Sequence, residues 1–310
     1  MIEKYIALLG LGATGAPLAH LLFQKYKNDF ILLADDEHAH KLTQKEILIN
    51  DELFNPRVVT KSCKLDKPID MVFVCVKNYD INTACNLLKG VISTETIIIP
   101  LQNGVYAFEY INQVFSGNII LEGFIQGPNT IKTDVGFEYQ NVGSYHIGTS
   151  NTEFKESAST IYNLIKDLGI NITLVKDIKH AIWKKLILNV AGNTITALTN
   201  LDYNMFRNSV EAQRMCRLVL RECKEVASTQ SILISEEDIE DIMNYFINYE
   251  QFKKTSMLED VLHNRMTENA YIAGYLKGIA DENQVKIPYT EMIYSLMKIK
   301  EDVYMGKLNS

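Results

Sequence analysis

Lys185, Asn189 and Asn193 recur at steps of four residues within Ile182–Asn200, IWKKLILNVAGNTITALTN. At about 100° per residue, this spacing keeps the three side chains on one face of a helix. Their neighbours Leu186, Ile187, Leu188, Val190, Ala191 and Ile195 are apolar. The helix is therefore expected to be buried on most sides, with a polar stripe facing something that needs it. A lysine taken out of water has its pKa pushed down, which suits it to donate a proton near neutral pH. Two amides beside it add donors for a carbonyl and a hydroxyl. The alternative, a solvated helix edge, does not account for so apolar a remainder. A carboxylate is expected to balance the lysine. Glu268, in the helical stretch Arg265–Glu268, is one candidate among many.

Gly10, Gly12 and Gly15 form a second constellation, G-x-G-x-x-G, with Ala13 and Thr14 inside it. It lies directly after an apolar run and before an apolar helix. In a dinucleotide site the first glycine permits the tight turn and the second lets a pyrophosphate approach the backbone. The third allows helix and strand to pack closely. The phosphates then meet the helix N-terminus, whose free N–H groups and dipole favour an anion. Pro17 falls in the first turn, where its missing N–H costs little. Asp35 ends the second apolar run, twenty residues after Gly15. A carboxylate there accepts from both ribose hydroxyls and repels a 2′-phosphate, which favours NAD(H) over NADP(H). Asp36 and Glu37 add negative charge, and Lys41 is near enough in sequence to reach a phosphate. The plainer reading is that Asp35 caps the next turn.

The elements that must position these residues alternate in the first half. Apolar runs read as strands at Tyr5–Gly10, Phe30–Asp35, Met71–Lys77, Thr96–Leu101 and Ile119–Gly127. Helices are expected at Pro17–Tyr26, Asp80–Leu88 and Tyr106–Val114. Continuous apolar runs suit strands covered on both faces, so the alternation predicts an α/β, doubly wound parallel sheet. A hairpin is expected from Gly136–Gln140 and Ser144–Gly148, followed by a helix at Ser157–Leu168 and a strand at Ile172–Val175. From about Ile178 glycine and proline become scarce and helical periodicity dominates, with a last helix at Tyr289–Met305. Ser235 and Asp238 read as the cap of another helix.

With 310 residues the chain has length for about two domains of ~150 residues each. Its net charge of −7 and lack of a basic cluster argue against nucleic acid as a partner. No stretch approaches ~18 uninterrupted apolar residues, so no membrane span is expected. The N-terminal apolar run is too short for a signal peptide. Cys63, Cys75, Cys85, Cys216 and Cys223 are scattered and unpaired in spacing, as in a cytoplasmic protein with reduced thiols. Cys216 and Cys223 lie seven apart, as core positions of one helix. His20, His38, His40, His146, His180 and His263 fall in no ligand spacing, so no metal is implied. His38 and His40 are placed in a solvated loop after Asp35.

Taken together, these segments resemble the ketopantoate reductase (2-dehydropantoate 2-reductase) family. Four motifs appear in the family's order. Val76–Asp80, VKNYD, resembles the VKxxQ segment, with Lys77 at its lysine and Asp80 in place of glutamine. Leu101–Val105, LQNGV, matches the QNG motif. KLILNVAGNTITAL matches the lysine–asparagine segment, and SMLED with RMTE matches the C-terminal motif. The resemblance implies a Rossmann-type dinucleotide-binding domain over 1–178 and an all-helical substrate and dimerisation domain over 179–310. It implies that Lys185 is the catalytic acid and that Asn189, Asn193 and Ser256 bind substrate. Glu268 would orient Lys185 or the substrate hydroxyl. Asn103 would lie beside nicotinamide and substrate. Gly10, Gly12, Ala13, Thr14, Gly15, Asp35 and Lys77 would hold the cofactor.

The reaction implied is NADPH-dependent reduction of 2-dehydropantoate to (R)-pantoate, towards pantothenate and coenzyme A, by analogy in a homodimer. NADP(H) is the family's usual cofactor, whereas Asp35 favours NAD(H). The chain departs from the family after Glu268, where Ala270 and Ala273 replace polar residues. Asn264 stands at a position usually held by a small residue, and Lys253 where asparagine is usual. These changes keep open a different 2-oxo acid as substrate. The rival outside enzymes is a cofactor-binding sensor, which would have no need of the Lys185, Asn189, Asn193 and Glu268 set.

Overall fold

The apolar runs of the first half become strands because parallel pairing buries them on both faces. A computed structural model describes residues 4–249 and 253–308. The chain divides between Ile178 and Lys179 into two compact units. The first opens with β1 (Ile6–Leu9), α1 (Gly15–Tyr26), β2 (Phe30–Leu33) and α2 (Asp36–Gln44). Next come β3 (Leu48–Ile49), β4 (Glu52–Leu53), β5 (Arg57–Val59), β6 (Ile69–Val74), α3 (Ile81–Leu88), β7 (Ile92–Pro100) and α4 (Tyr106–Val114). The unit ends with β8 (Ile119–Ile120), β9 (Glu122–Gln126), β10 (Asn129–Lys132), β11 (Gly136–Asn141), β12 (Ser144–Gly148), α5 (Lys155–Lys166) and β13 (Ile172–Leu174).

Six strands form a parallel sheet in the order β5-β2-β1-β6-β7-β8, with Ile6 of β1 opposite Phe30 of β2 on one side and Met71 of β6 on the other. One face packs Leu8, Leu32 and Phe73 against Leu18 and Leu22 of α1 and Ile161 and Ile165 of α5. The other packs Leu9, Leu33 and Val74 with Leu88 of α3 and Ile111 of α4. The chain crosses from one side of β1 to the other between β2 and β6. That reversal makes a crevice at the carboxyl ends of β1 and β6, where open α/β sheets bind ligands.

The run Ile119–Gly127 is not one strand: β8 pairs with β7, while β9 belongs to a separate sheet β13-β12-β9. Continuous apolarity cannot show that a chain changes sheets. Nor do β11 and β12 form a hairpin. β11 pairs with β10 and β3, whereas β12 pairs with β9 and β13. Between them Gly143 has φ +84°, and a Cβ there would lie 2.8 Å from the Gln126 carbonyl oxygen. The turn therefore passes the chain from one sheet to the other, a conformation open to glycine.

Among its described residues the second unit has helices and no strand. It comprises α6 (Ile178–Leu188), a π-turn at Asn189–Asn193, α7 (Thr194–Thr199), α8 (Tyr203–Asn208) and α9 (Val210–Thr229). It continues with α10 (Glu236–Asn248), α11 (Ser256–Leu262), α12 (Ala273–Glu282) and α13 (Pro288–Tyr304). α9 buries Cys216, Leu220 and Cys223 along one face. At the head of α10 the Asp238 backbone N–H donates to Ser235 Oγ at 3.0 Å, and Asp238 Oδ2 accepts from the Ser235 N–H at 2.9 Å. The same carboxylate takes the Lys184 ammonium of α6 at 2.8 Å. This cap thus fixes the helix whose far end faces the polar stripe. Ser235→Ala is expected to lower unfolding free energy by about 1 kcal/mol, read as a lower urea midpoint at unchanged slope.

Candidate active site

In the first unit the turns after β1, β6 and β7 converge. Gly10 follows β1 with φ +105°, and a Cβ on it would sit 2.5 Å from the Val76 nitrogen. The Cys75 N–H donates to the Leu9 carbonyl at 2.7 Å, and the Leu101 N–H to the Val74 carbonyl at 3.0 Å. Asn78, in the 3₁₀ turn after Lys77, donates through Nδ2 to the Asn103 carbonyl at 2.9 Å. The three motifs carrying Gly10–Gly15, Lys77 and Asn103 are therefore brought together.

The glycines divide by role. A Cβ on Gly15 would lie 2.1 Å from the Gly10 carbonyl oxygen, whereas one on Gly12 meets nothing within 4 Å. Gly10 and Gly15 let the turn close; Gly12 borders open space where a phosphate can approach. Thr14 makes no side-chain cap on α1, which leaves the helix start to an outside anion. Ala13 is exposed in the same turn. These features fit a dinucleotide pyrophosphate.

Asp35 does not end β2; it caps α2. Its carboxylate accepts from the His38 N–H at 2.8 Å and lies 2.9 Å from His38 Nδ1. The backbone N–H and the imidazole hold its pKa below the ordinary carboxylate value. His38 and His40 lie in α2, not in a loop, because Asp35 supplies an N-cap. Lys41 is taken by Glu37 at 2.6 Å. Burial raises the pKa of Asp80, and the charge of Asp35 adds to that rise.

Gln102, beside Asn103 in the QNG segment, was assigned no role from the sequence. It is buried, and neither its nitrogen nor its oxygen has a hydrogen-bond partner among the described residues. Unpaired buried amides are costly, and this one stands where β7 leaves the sheet. A polar pair directly after an apolar strand was the available signal.

In the second unit the stripe is interrupted. α6 ends at Leu188, and Asn189–Asn193 form a π-turn, a distortion frequent at functional sites. Both asparagines are buried, and Asn193 Nδ2 donates to Asn189 Oδ1 at 3.0 Å. Asn189 Nδ2 is buried and finds no acceptor among the described residues.

The two adjacent lysines have opposite fates. Lys184 pairs with Asp238 at 2.8 Å and Asp241 at 2.7 Å. The Lys185 ammonium instead lies 6.0 Å from the centre of the Tyr245 ring. Burial pushes its pKa down to about 8. Among the described residues no carboxylate, Glu268 included, pairs with Lys185. Glu268 is buried at the head of the 3₁₀ turn Asn269–Tyr271, its carbonyl accepting from the Tyr271 and Ile272 N–H groups at 2.9 and 3.0 Å. The ring quadrupole of Tyr245 stands where a counter-ion was expected. Ser256 is exposed as the first residue of α11. The adjacent Thr255 hydroxyl lies 2.9 Å from that of Thr196, which brings the start of α11 beside α7. Lys253 stands 5.9 Å from the Tyr249 ring. Ala273 is buried and Ala270 exposed.

Residues 6–152 match the family described as Ketopantoate reductase PanE/ApbA, and residues 177–301 match Ketopantoate reductase PanE/ApbA C terminal. The chain belongs to the ketopantoate reductase family. Like that family, it is a nicotinamide-dependent oxidoreductase acting on a keto or hydroxyl group. The 2-dehydropantoate 2-reductase of Yersinia pestis is 28% identical over 267 residues, 83% of either chain. A ternary structure of D-mandelate dehydrogenase with NADH and anilino(oxo)acetate shares the fold with a TM-score of 0.85 at 18% identity, covering 97% of this chain and 99% of that one. A dimeric ketopantoate reductase from Staphylococcus aureus superposes with a TM-score of 0.78 at 22% identity, covering 96% and 99%.

The division among the glycines of this family member is open to test. Gly12→Val is expected to leave the thermal midpoint unchanged yet weaken NADH binding roughly tenfold or more by fluorescence titration. Gly15→Ala, by contrast, is expected to cost about 1–3 kcal/mol of stability through overpacking. Equal destabilisation by both would contradict the assignment of Gly12 to the ligand.

Proposed function

We propose that the chain reduces the C2 carbonyl of 2-dehydropantoate to (R)-pantoate, a step towards pantothenate and coenzyme A. The observation that carries this reading is the placement of Lys185, without a carboxylate partner among the described residues and with burial lowering its pKa, in the helical segment that leads into two buried amides. A reduced nicotinamide, bound through Gly10, Gly12, Ala13, Thr14, Gly15, Asp35, Lys77 and Asn103, supplies the hydride. Lys185 holds a proton at the carbonyl oxygen and gives it up as negative charge develops there. The free Asn189 N–H, with Asn193 fixing its amide, donates to the substrate. Ser256 binds the substrate, and Glu268 orients its hydroxyl. The first unit is thus assigned to the cofactor and the second to the substrate. A reductase of this kind works in the cytoplasm, where reduced nicotinamide is supplied. The S. aureus relative supports a homodimer.

Lys185→Ala is expected to lower kcat by about 10²–10⁴-fold. Lys185→Arg is not expected to restore it, because a guanidinium does not release its proton. The protonated lysine is the working form. In the wild type kcat/KM is therefore expected to be level below the pKa of about 8 and to fall as pH rises through it. Turnover by Lys185→Ala within a few-fold of wild type would remove the proposed acid.

The cofactor we assign is NADH. A 2′-phosphate would meet Asp35, with Asp80 close enough to feel its charge. The ratio of kcat/KM for NADH over NADPH is expected to exceed roughly tenfold and to shrink in Asp35→Ala. A preference for NADPH would overturn this assignment and leave the role of Lys185 intact.

A second reading is favoured by the aromatic surroundings of Lys185. The Tyr245 and Tyr249 rings lie 4.9 Å apart, Tyr203 lies 4.5 Å from Tyr249, and Lys253 replaces the usual asparagine. A 2-oxo acid with a planar or bulky side chain suits such a wall, in keeping with the anilino(oxo)acetate held by the D-mandelate dehydrogenase neighbour. Higher kcat/KM for benzoylformate than for 2-dehydropantoate would establish this reading over the first.

A further inference from the structure

The π-turn at Asn189–Asn193 holds both amides of the stripe. A helix closed by i→i+5 bonds is rare and persists where its surroundings hold it. The holding element is visible at Gly192. A Cβ built there would lie 1.8 Å from Phe246 Cζ, 2.2 Å from Cε2 and 2.5 Å from Cε1. The Phe246 ring therefore occupies the space that a side chain at 192 would take.

That ring has no room to withdraw. Phe246 is fully buried, with Tyr203 at 5.6 Å, Phe206 at 5.2 Å and Tyr245 at 5.7 Å between ring centres. A packed interior of this kind transmits displacement instead of absorbing it. Tyr245, the preceding residue, carries the ring that faces the Lys185 ammonium. Two consecutive residues of α10 thus face the lysine and fill the notch in the turn that bears the amides.

The turn has a consequence for direction. In a straight α-helix each step of four residues overshoots by about 40°, so Asn193 would stand about 80° round from Lys185. A wider turn advances less per residue and cancels part of that drift. Asn193 comes back over Asn189, where its Nδ2 closes on Asn189 Oδ1 and leaves Asn189 Nδ2 as the free donor.

We propose that Gly192 and Phe246 are positioning residues: the Phe246 ring, seated in the notch left by Gly192, holds the π-turn open and so aims the Asn189–Asn193 pair alongside Lys185. Neither touches substrate. The proposal rests on the reading of Lys185, Asn189 and Asn193 as the working groups, and the experiment separates the two.

Gly192→Ala, Phe246→Leu and the double variant are compared by kcat, KM for the 2-oxo acid, NADH dissociation constant, thermal midpoint and the pH profile of kcat/KM. Gly192→Ala is expected to lower kcat by about 10²-fold, the size of effect a displacement near 1 Å produces. The midpoint of the pH profile is expected to move, and NADH binding to stay as in the wild type. Adding Phe246→Leu, which makes room for the new methyl group, is expected to recover roughly tenfold or more, a non-additivity diagnostic of direct contact. Wild-type kcat and pH midpoint in Gly192→Ala would overturn the proposal, as would a double variant no faster than the single one. Should Gly192→Ala fail to fold, Phe246→Leu alone decides: a fall of about tenfold in kcat supports the proposal, and unchanged kcat and pH midpoint overturn it. If the wild type reduces no 2-oxo acid, the functional reading has failed. The positioning claim is then read from the pH dependence of Lys185 modification by an amine-reactive reagent, in the wild type and Phe246→Leu. A shifted midpoint supports it, and an identical one overturns it.

Discussion

Lys185 presents its ammonium to the Tyr245 ring, while Lys184, one residue earlier, takes both Asp238 and Asp241. Removing a charge from water without an opposite charge is expensive, and a paired lysine would escape that cost. Pairing would also raise the lysine pKa and hold its proton. The second unit treats the two lysines differently: one fastens α6 to α10, and the other has no carboxylate partner among the described residues, so burial lowers its pKa. Burial opposes ionisation of Asp238, but the Lys184 ammonium and the Ser235 hydrogen bonds outweigh it and hold its pKa far below the ordinary carboxylate value. Asp238 therefore stays charged and committed to Lys184.

The first unit solves a different problem by backbone means. Gly10 and Gly15 bring the turn after β1 against the turn after β6 more closely than side chains would allow. That approach sets the Gly12 backbone beside open space and places Lys77 and Asn103 on turns joined through Asn78. The parallel sheet supplies rigidity, since β1 and β2 are buried along their whole length. Charge is then added at the rim, where Asp35 caps α2 and binds His38.

The sequence made some of this legible for definable reasons. Strands covered on both faces leave continuous apolar runs, which made β1, β2, β6 and β7 readable to within a few residues. The capping box of Ser235 and Asp238 was legible because both partners lie within one helical turn. Features that depend on distant partners were not. Alternation in β11 and β12 shows that each is a strand, but not which strand lies beside it. The interruption of α6 leaves no trace in apolar periodicity, because all five residues of the π-turn are buried. Gly192 was its sole mark in the sequence, and its meaning depends on Phe246, 54 positions away. The Tyr245 ring beside Lys185 was illegible for the same reason, since it comes from a distant helix.

Whether Lys185 is an uncompensated ammonium that loses its proton near neutral pH can be read by titrating it in the resting protein. Lysine side chains labelled for heteronuclear NMR would be followed from pH 6 to 11, with Lys185→Ala assigning the resonance. A midpoint at about 8 is expected. A midpoint at the ordinary lysine value of about 10.4 would contradict it.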